Sequence, residues 1–145
     1  MVEPVIETAT VRGFREADRA AWNAYVHAHA DGTFFHLAEW QDVLTRAFGH
    51  RTHYLLAERS GAIVGVLPLA EVKSVLFGHA LVSTPFCVYG GIVADDEAAH
   101  AALTEAACAL ARELGVDHLE MRNRRRQHPE WPVKDLYVTF RKAID

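Results

Sequence analysis

Tyr54-Leu55-Leu56-Ala57-Glu58-Arg59-Ser60-Gly61-Ala62-Ile63-Val64-Gly65-Val66-Leu67-Pro68-Leu69 sets two apolar runs on either side of a Ser-Gly pair. Residues 54–58 and 62–69 are rich in aliphatic and β-branched side chains, and Ser60-Gly61 between them signals a tight hairpin, so the two runs are predicted to pair antiparallel. Pro68 has no amide to give a ladder and is expected at a sheet edge or a bulge. Extended chain is expected to resume over 71–77 and, after Gly78, over 79–82, which makes the centre of the sequence an antiparallel meander.

Upstream, residues 5–11 alternate well enough for a first strand, and Asp18 is placed to cap a helix that turns Ala21, Trp22, Tyr25 and Val26 inward. Leu37, Trp40, Val43, Leu44, Ala47 and Phe48 recur at helical spacing, and Gly49 stands where a left-handed residue ends a helix. Downstream, Asp95 and Asp96 supply a cap and N-terminal charge to a long helix with an apolar stripe of Leu103, Ala106, Ala107, Leu110 and Leu114, closed by Gly115. A buried strand is expected over 116–121 and a last strand over 136–140. Strand, helix pair, antiparallel meander, helix and strand make an α/β (α+β) pattern, a mixed and mostly antiparallel sheet flanked by helices rather than a doubly wound parallel one.

With 145 residues the chain suits one domain, 1–145, and its 50% hydrophobic and 23% charged content places it among globular rather than disordered sequences. A net charge of −4 argues against a dominant nucleic-acid or anionic-membrane surface. Met1-Val2-Glu3-Pro4 has neither a basic segment nor an apolar core of signal type, and no apolar run reaches membrane-spanning length, so the expected location is cytoplasmic. Cys87 and Cys108 lack metal or redox spacing and read as small packed residues.

Ser83-Thr84-Pro85-Phe86-Cys87-Val88-Tyr89-Gly90-Gly91 sets rigid, aromatic and permissive residues side by side. Pro85 restricts the backbone, Gly90 and Gly91 allow positive φ and close approach, and Phe86 and Tyr89 offer apolar faces with one hydroxyl; the composition suits a ligand wall and equally an ordinary packed turn. His36, just ahead of the second helix, is positioned for a phosphate or carboxylate or for a local turn, and Trp40 for a ligand or for the core. The run Arg122-Asn123-Arg124-Arg125-Arg126 begins where a strand should end, and guanidinium groups there suit a diphosphate or a nucleic-acid backbone as well as a solvated loop. Arg122 and Asn123, nearest the strand end, are its best site candidates. Glu120 is a candidate base toward an attacking amine, or a salt-bridge partner of an arginine. The histidines show no third ligand at metal spacing, so no metal site is expected. Acyl transfer to an amine needs positioning and polarisation but no dedicated nucleophile, and the chain has no Gly-x-Ser-x-Gly elbow.

The element order resembles the acyl-CoA N-acyltransferase, or GNAT, fold. Trp22, Thr33-Phe34-Phe35-His36, Glu39-Trp40, Phe48-Gly49-His50, Gly65-Val66-Leu67-Pro68-Leu69, Ser83-Thr84-Pro85-Phe86, Tyr89-Gly90-Gly91 and His118-Leu119-Glu120-Met121-Arg122 occur in one order that resembles the N-terminal half of FemAB-like proteins, particularly the subgroup associated with PEP-CTERM and exosortase systems. The resemblance implies an acyl- or aminoacyltransferase domain acting on a cell-envelope precursor, peptidoglycan or polysaccharide-linked. It implies an aminoacyl-tRNA or acyl-CoA donor, with no cofactor fixed, and a nucleotide- or lipid-linked glycan precursor and tRNA as partners. It further implies a second GNAT-like domain following this one in a longer chain, or a homodimer partner. A non-catalytic substrate-binding or pairing half of a split GNAT pair is the alternative. His36, Trp40, Pro85, Phe86, Tyr89, Gly90, Gly91, Arg122 and Asn123 are the implied substrate contacts. The residues before the Asp95 helix depart from the Arg/Gln-x-x-Gly-x-Gly/Ala diphosphate loop of acetyl-CoA-dependent GNAT enzymes.

Overall fold

Ser60 and Gly61 both take positive φ, 51° and 78°, the pair of left-handed residues that lets a two-residue turn match the twist of its strands. Around this hairpin the computed structural model, which describes residues 7–76, 78–134, 140 and 142–144, runs in the order β1 (Thr10–Gly13), α1 (Arg19–Ala28), α2 (Trp40–Phe48), β2 (Arg51–Thr52), β3 (Leu55–Arg59), β4 (Ala62–Leu67), β5 (Leu69–Ser74), β6 (Gly78–Ser83), β7 (Val93–Ala94), α3 (Glu97–Leu114) and β8 (His118–Glu120). Single 3-10 turns, Glu16–Asp18 and Phe34–His36, precede α1 and α2. The strands form two four-stranded sheets, β1-β3-β4-β7 and β2-β5-β6-β8. Every pairing is antiparallel except β6 with β8, which is the mixed, mostly antiparallel arrangement expected.

Pro68 lies neither at an edge nor in a bulge. It is fully buried at the point where β4 leaves one sheet and β5 enters the other, and its carbonyl accepts the Thr84 amide at 3.0 Å. A residue without an N–H fits there because the ladder changes partners at that step. Beyond it β5 ends at Ser74, and Phe77 lies outside the described residues. The first strand occupies Thr10–Gly13 rather than 5–11, of which residues 5 and 6 lie outside the described residues.

Alternation along β3 assigns the two faces of the first sheet. Leu56, with Val66 and Val93, packs under Trp22 and Val26 of α1. Ala57, with Leu67 and Leu69, packs under Leu103 and Ala107 of α3. Trp22 is fully buried, stacks on Tyr54 at 5.3 Å and donates its indole N–H to the His36 carbonyl at 2.7 Å, so the largest core side chain carries its one polar atom satisfied. Gly65 is where α3 presses on bare backbone, since a Cβ there would lie 2.8 Å from Leu103 Cδ1 and 3.3 Å from the Val93 carbonyl.

Helix boundaries follow the glycines. Gly49 and Gly115 close α2 and α3 with φ of 68° and 64°, and Asp96 caps α3 by accepting the Ala99 amide at 2.8 Å. Asp18 differs from expectation. It ends the 3-10 turn with helical dihedrals and makes no cap bond to α1; its carboxylate takes both Nη atoms of Arg12, at 2.7 and 2.8 Å, and the Arg15 amide at 2.7 Å. Arg12 also reaches Glu58 at 2.7 Å, tying β1 to β3 and to the start of α1. Ala21 is exposed and Tyr25 half-buried, so the inward stripe of α1 is narrower than predicted. In α2, Leu44 is buried while Val43 and Phe48 stay 39% and 50% exposed, Phe48 stacking on Phe86. The expected buried strand over 116–121 is shorter, His118–Glu120, and half-exposed: it holds the sheet's outer position beside β6. The strand predicted over 136–140 lies outside the described residues except for Phe140.

Candidate functional site

The chain leaves β6 at Ser83 and re-enters the first sheet at Val93, and the loop between is locked by close backbone contacts. Thr84 and Phe86 carry positive φ, 42° and 69°, flanking the fixed ring of Pro85; strain at two non-glycine residues requires strong anchoring around them. Thr84 is buried and donates its hydroxyl to the Phe35 carbonyl at 3.4 Å, and its carbonyl accepts the Cys87 amide at 3.2 Å. Gly90 and Gly91 serve close approach rather than positive φ. A Cβ on Gly90 would overlap the Thr84 side chain, and one on Gly91 would overlap Asn123 Oδ1.

Arg122 and Asn123, just past the end of β8, hold the other side. The Arg122 carbonyl accepts both the Gly90 and the Gly91 amides, each at 3.2 Å, and its own amide donates to Ser83 Oγ at 2.7 Å. The guanidinium bridges the Cys87 carbonyl at 2.7 Å and Glu120 Oε1 at 2.8 Å. Asn123 Oδ1 accepts the Ile92 amide at 3.3 Å. His36 clamps the loop from the α2 side: its Nε2 lies 2.9 Å from the Gly91 carbonyl, and its Nδ1 lies 3.2 Å from the Thr33 amide and 2.8 Å from Thr33 Oγ1. Burial lowers the pKa of His36, so the ring stays neutral, with Nε2–H donating to Gly91 and Nδ1 accepting from the Thr33 amide.

A cleft of about 60 Å³ opens beside these residues, with His36, Tyr89, Gly90, Gly91, Arg122 and Asn123 among its lining. Six of the predicted site residues therefore converge. Arg124 and Arg125 add exposed cations, Arg124 lying 5.6 Å from the centre of the Tyr89 ring, and Asp31 adds a carboxylate. The Gly90, Gly91 and Ile92 amides are already bonded within the protein and form no open backbone nest, and the lining's exposed guanidinium groups are those of Arg124 and Arg125. Glu120 does not line the cleft and is paired with Arg122.

Three predicted contacts lie elsewhere. Pro85 is buried beneath the loop. Phe86, 61% exposed, stacks on Phe48 at 4.5 Å on the outer side. Trp40 meets Phe34 at 5.7 Å and donates its indole N–H to the Phe34 carbonyl at 3.0 Å. Asp31, Ile92, Val93 and Gln127 line the cleft although the sequence reading did not point to them as site residues; a turn signal at Asp31-Gly32 is the one sequence cue to any of them. Among the described residues no group of three or more His, Cys, Asp or Glu side chains could hold a metal ion.

The start of α3, Glu97, lies four residues beyond Val93 and follows two further acids, Asp95 and Asp96. Asp96 caps the helix and pairs with Arg59 at 2.7 Å, which with the cap holds its pKa down at about 2. Asp95 accepts the Tyr25 hydroxyl at 2.8 Å, and burial, then this bond, keeps the Tyr25 phenol protonated far above its usual range.

This architecture is the GNAT fold. The chain is similar to a GNAT family acetyltransferase from Staphylococcus aureus (11% identity, 94% of this chain and 99% of that one covered, TM-score 0.56). It is similar also to a ribosomal-protein-alanine N-acetyltransferase from Brucella melitensis (13% identity, 93% and 99% covered, TM-score 0.59) and to a transcriptional regulator from Bacillus halodurans (14% identity, 94% and 99% covered, TM-score 0.55). No protein-family model matches the sequence, and neither does any curated protein.

Proposed function

We propose that this domain is an acyl- or aminoacyltransferase module of FemAB type that acts on a phosphate-bearing cell-envelope precursor, a nucleotide- or lipid-linked glycan. The observation that carries the reading is the cleft itself: a GNAT fold in which Tyr89, Arg122, Arg124 and Arg125 line one cleft, beside a loop held by backbone hydrogen bonds. Acyl transfer to an amine asks the protein to hold two partners close and to orient charge, and a hydrogen-bonded loop with guanidinium groups gathered beside it suits both. Arg124 and Arg125 face the phosphates, Tyr89 offers an aromatic face to the sugar or peptide, and Asp31 offers a carboxylate to the acceptor ammonium. The acyl group comes from an aminoacyl-tRNA or a related activated donor. A cytoplasmic location goes with this reading, and among the described residues no helix is long and apolar enough to cross a membrane.

A second reading has an observation of its own. Both ring nitrogens of His36 are engaged and Glu120 is paired with Arg122, so the groups best suited to proton transfer are committed to structure. That favours a substrate-binding half whose chemistry is completed by a second GNAT-like domain or a second copy of the chain. The two readings separate in one experiment. Calorimetric titration with a nucleotide-linked muropeptide precursor is run beside a turnover assay with aminoacyl-tRNA. Binding with turnover, both weakened in Tyr89→Ala or in Arg124→Ala/Arg125→Ala, supports the transferase. Binding without turnover until a second domain is added supports the pairing half, and absence of binding overturns both.

A further inference from the structure

An anion is held at a helix start by N–H groups left without partners and by the positive end of the helix dipole; a carboxylate in the same place uses up both. At α3 the Ala99 amide is taken by Asp96 at 2.8 Å. The neighbouring cation, Arg59, spends its guanidinium on Asp96 at 2.7 Å and on the Glu7 carbonyl at 2.8 Å. Asp95 lies 2.8 Å from the Tyr25 hydroxyl and 3.7 Å from His29 Nε2, and Glu97 adds a third acid in the first turn. A diphosphate brought here meets carboxylates and no uncommitted cation among the described residues. The residues do not fit coenzyme A held by its diphosphate at this helix.

We infer that this chain has closed the start of α3 to anions and has moved diphosphate recognition to the arginine-walled cleft beside Gly90 and Gly91, so that a diphosphate-bearing ligand sits against Arg124 and Arg125 instead of against the helix. The two places are joined by β7, with Gly91 and Val93 in the cleft lining and Asp95 beyond. One end of this short segment faces arginines supplied by residues 122–125 and the other carries Asp95 and Asp96, so a polyanion is drawn to the first and repelled from the second. The second half of the inference rests on the reading of the cleft as a binding site; the closing of α3 does not.

The test is a pair of NMR titrations of the full chain, one with coenzyme A and one with inorganic diphosphate, read at the backbone amides of residues 97–99 and of residues 90–92 and 123–125. The expected result is saturable shifts at 90–92 and 123–125 with diphosphate, and none at 97–99 with either probe. Saturable shifts at 97–99 with coenzyme A overturn the inference. Diphosphate shifting neither set overturns the cleft as a binding site while the closing of α3 stands. In the double variant Asp95→Asn/Asp96→Ser, the introduced hydroxyl retains the cap while both charges go and Arg59 is released. Diphosphate is then expected to shift residues 97–99; if they stay unmoved, the carboxylates are not what closes the helix start.

Discussion

Replacing Gly91 by alanine tests whether the cleft wall is as tightly built as its geometry says. The new Cβ would overlap Asn123 Oδ1 and would lie 2.8 Å from Asn123 Cγ and 3.0 Å from Asn123 Cα. Rotating the amide away relieves the first contacts at the expense of the bond from the Ile92 amide, and the third contact is with backbone, which no rotamer relieves. Overpacking at a site that cannot relax costs about 1–3 kcal/mol, and leaving a buried amide unpaired adds about 1 kcal/mol. The smaller unfolded-state entropy of alanine offsets about 0.5 kcal/mol, which leaves about 1.5–3.5 kcal/mol. Urea unfolding followed by fluorescence should show the midpoint falling with m unchanged, and amide exchange at Gly90 and Ile92 should accelerate. A Cβ on Gly13 would meet nothing within 4 Å, so Gly13→Ala is the control and should stay within about 0.5 kcal/mol of the parent. In an Asn123→Ala background, Gly91→Ala should cost at least about 1 kcal/mol less than alone. A Gly91→Ala protein as stable as the Gly13→Ala control, or an additive cycle with Asn123, would refute the argument.

Arg12→Ala should lower stability by about 1–2 kcal/mol, measured by thermal melting, because one guanidinium holds both Asp18 and Glu58. Acid should destabilise the fold in a definite window: Asp18 and Asp96, held at about 2 chiefly by Arg12 and Arg59 respectively, lie below the ordinary 3.8, so their contribution is complete above about pH 4 and is lost as pH falls through about 2. Arg12→Ala should flatten the Asp18 part of that profile, which a pH series of urea midpoints will show. Cys87 is buried and its thiol is pushed up to about 11, chiefly by desolvation, whereas Cys108 is half-buried. A disulfide reagent at pH 8 should therefore label Cys108 first and Cys87 only on unfolding; equal native rates would contradict this placement.

The fold was legible in the sequence wherever a local rule and a tertiary one agreed. Ser60-Gly61 asks for a hairpin by its own chemistry, and the flanking aliphatic runs bury the strands it joins, so the turn and the antiparallel pairing followed together, while the register shift between Ala57 and Glu58 did not. Gly49 and Gly115 marked helix ends for the same reason. Agreement failed where long-range partners decided. Asp18 has the right identity and position for a cap, yet the carboxylate gains two charged bonds from Arg12, which lies on a strand whose pairing the local sequence does not announce. Pro68 reads as an edge signal, and becomes a buried junction because two sheets exchange the chain at that residue. Residues 116–121 are apolar enough for a central strand, but a strand's place in a sheet depends on what comes to lie beside it.

The site was half legible for a related physical reason. Composition marked loop 83–91 as unusual but assigned the conformational freedom to the wrong residues: the left-handed dihedrals fall on Thr84 and Phe86, while the glycines are there for lack of a side chain. This exchange matters for function. If Gly90 and Gly91 carried the positive φ, their amides would fan outward as a backbone nest ready for an oxyanion. Because they instead lie against Arg122, both amides donate to its carbonyl, and the charge at the cleft comes from side chains, Arg124 and Arg125 with Asp31. Guanidinium groups stay charged across the ordinary pH range, so a ligand held as proposed by Arg124 and Arg125 beside the Tyr89 ring should bind more weakly as ionic strength rises.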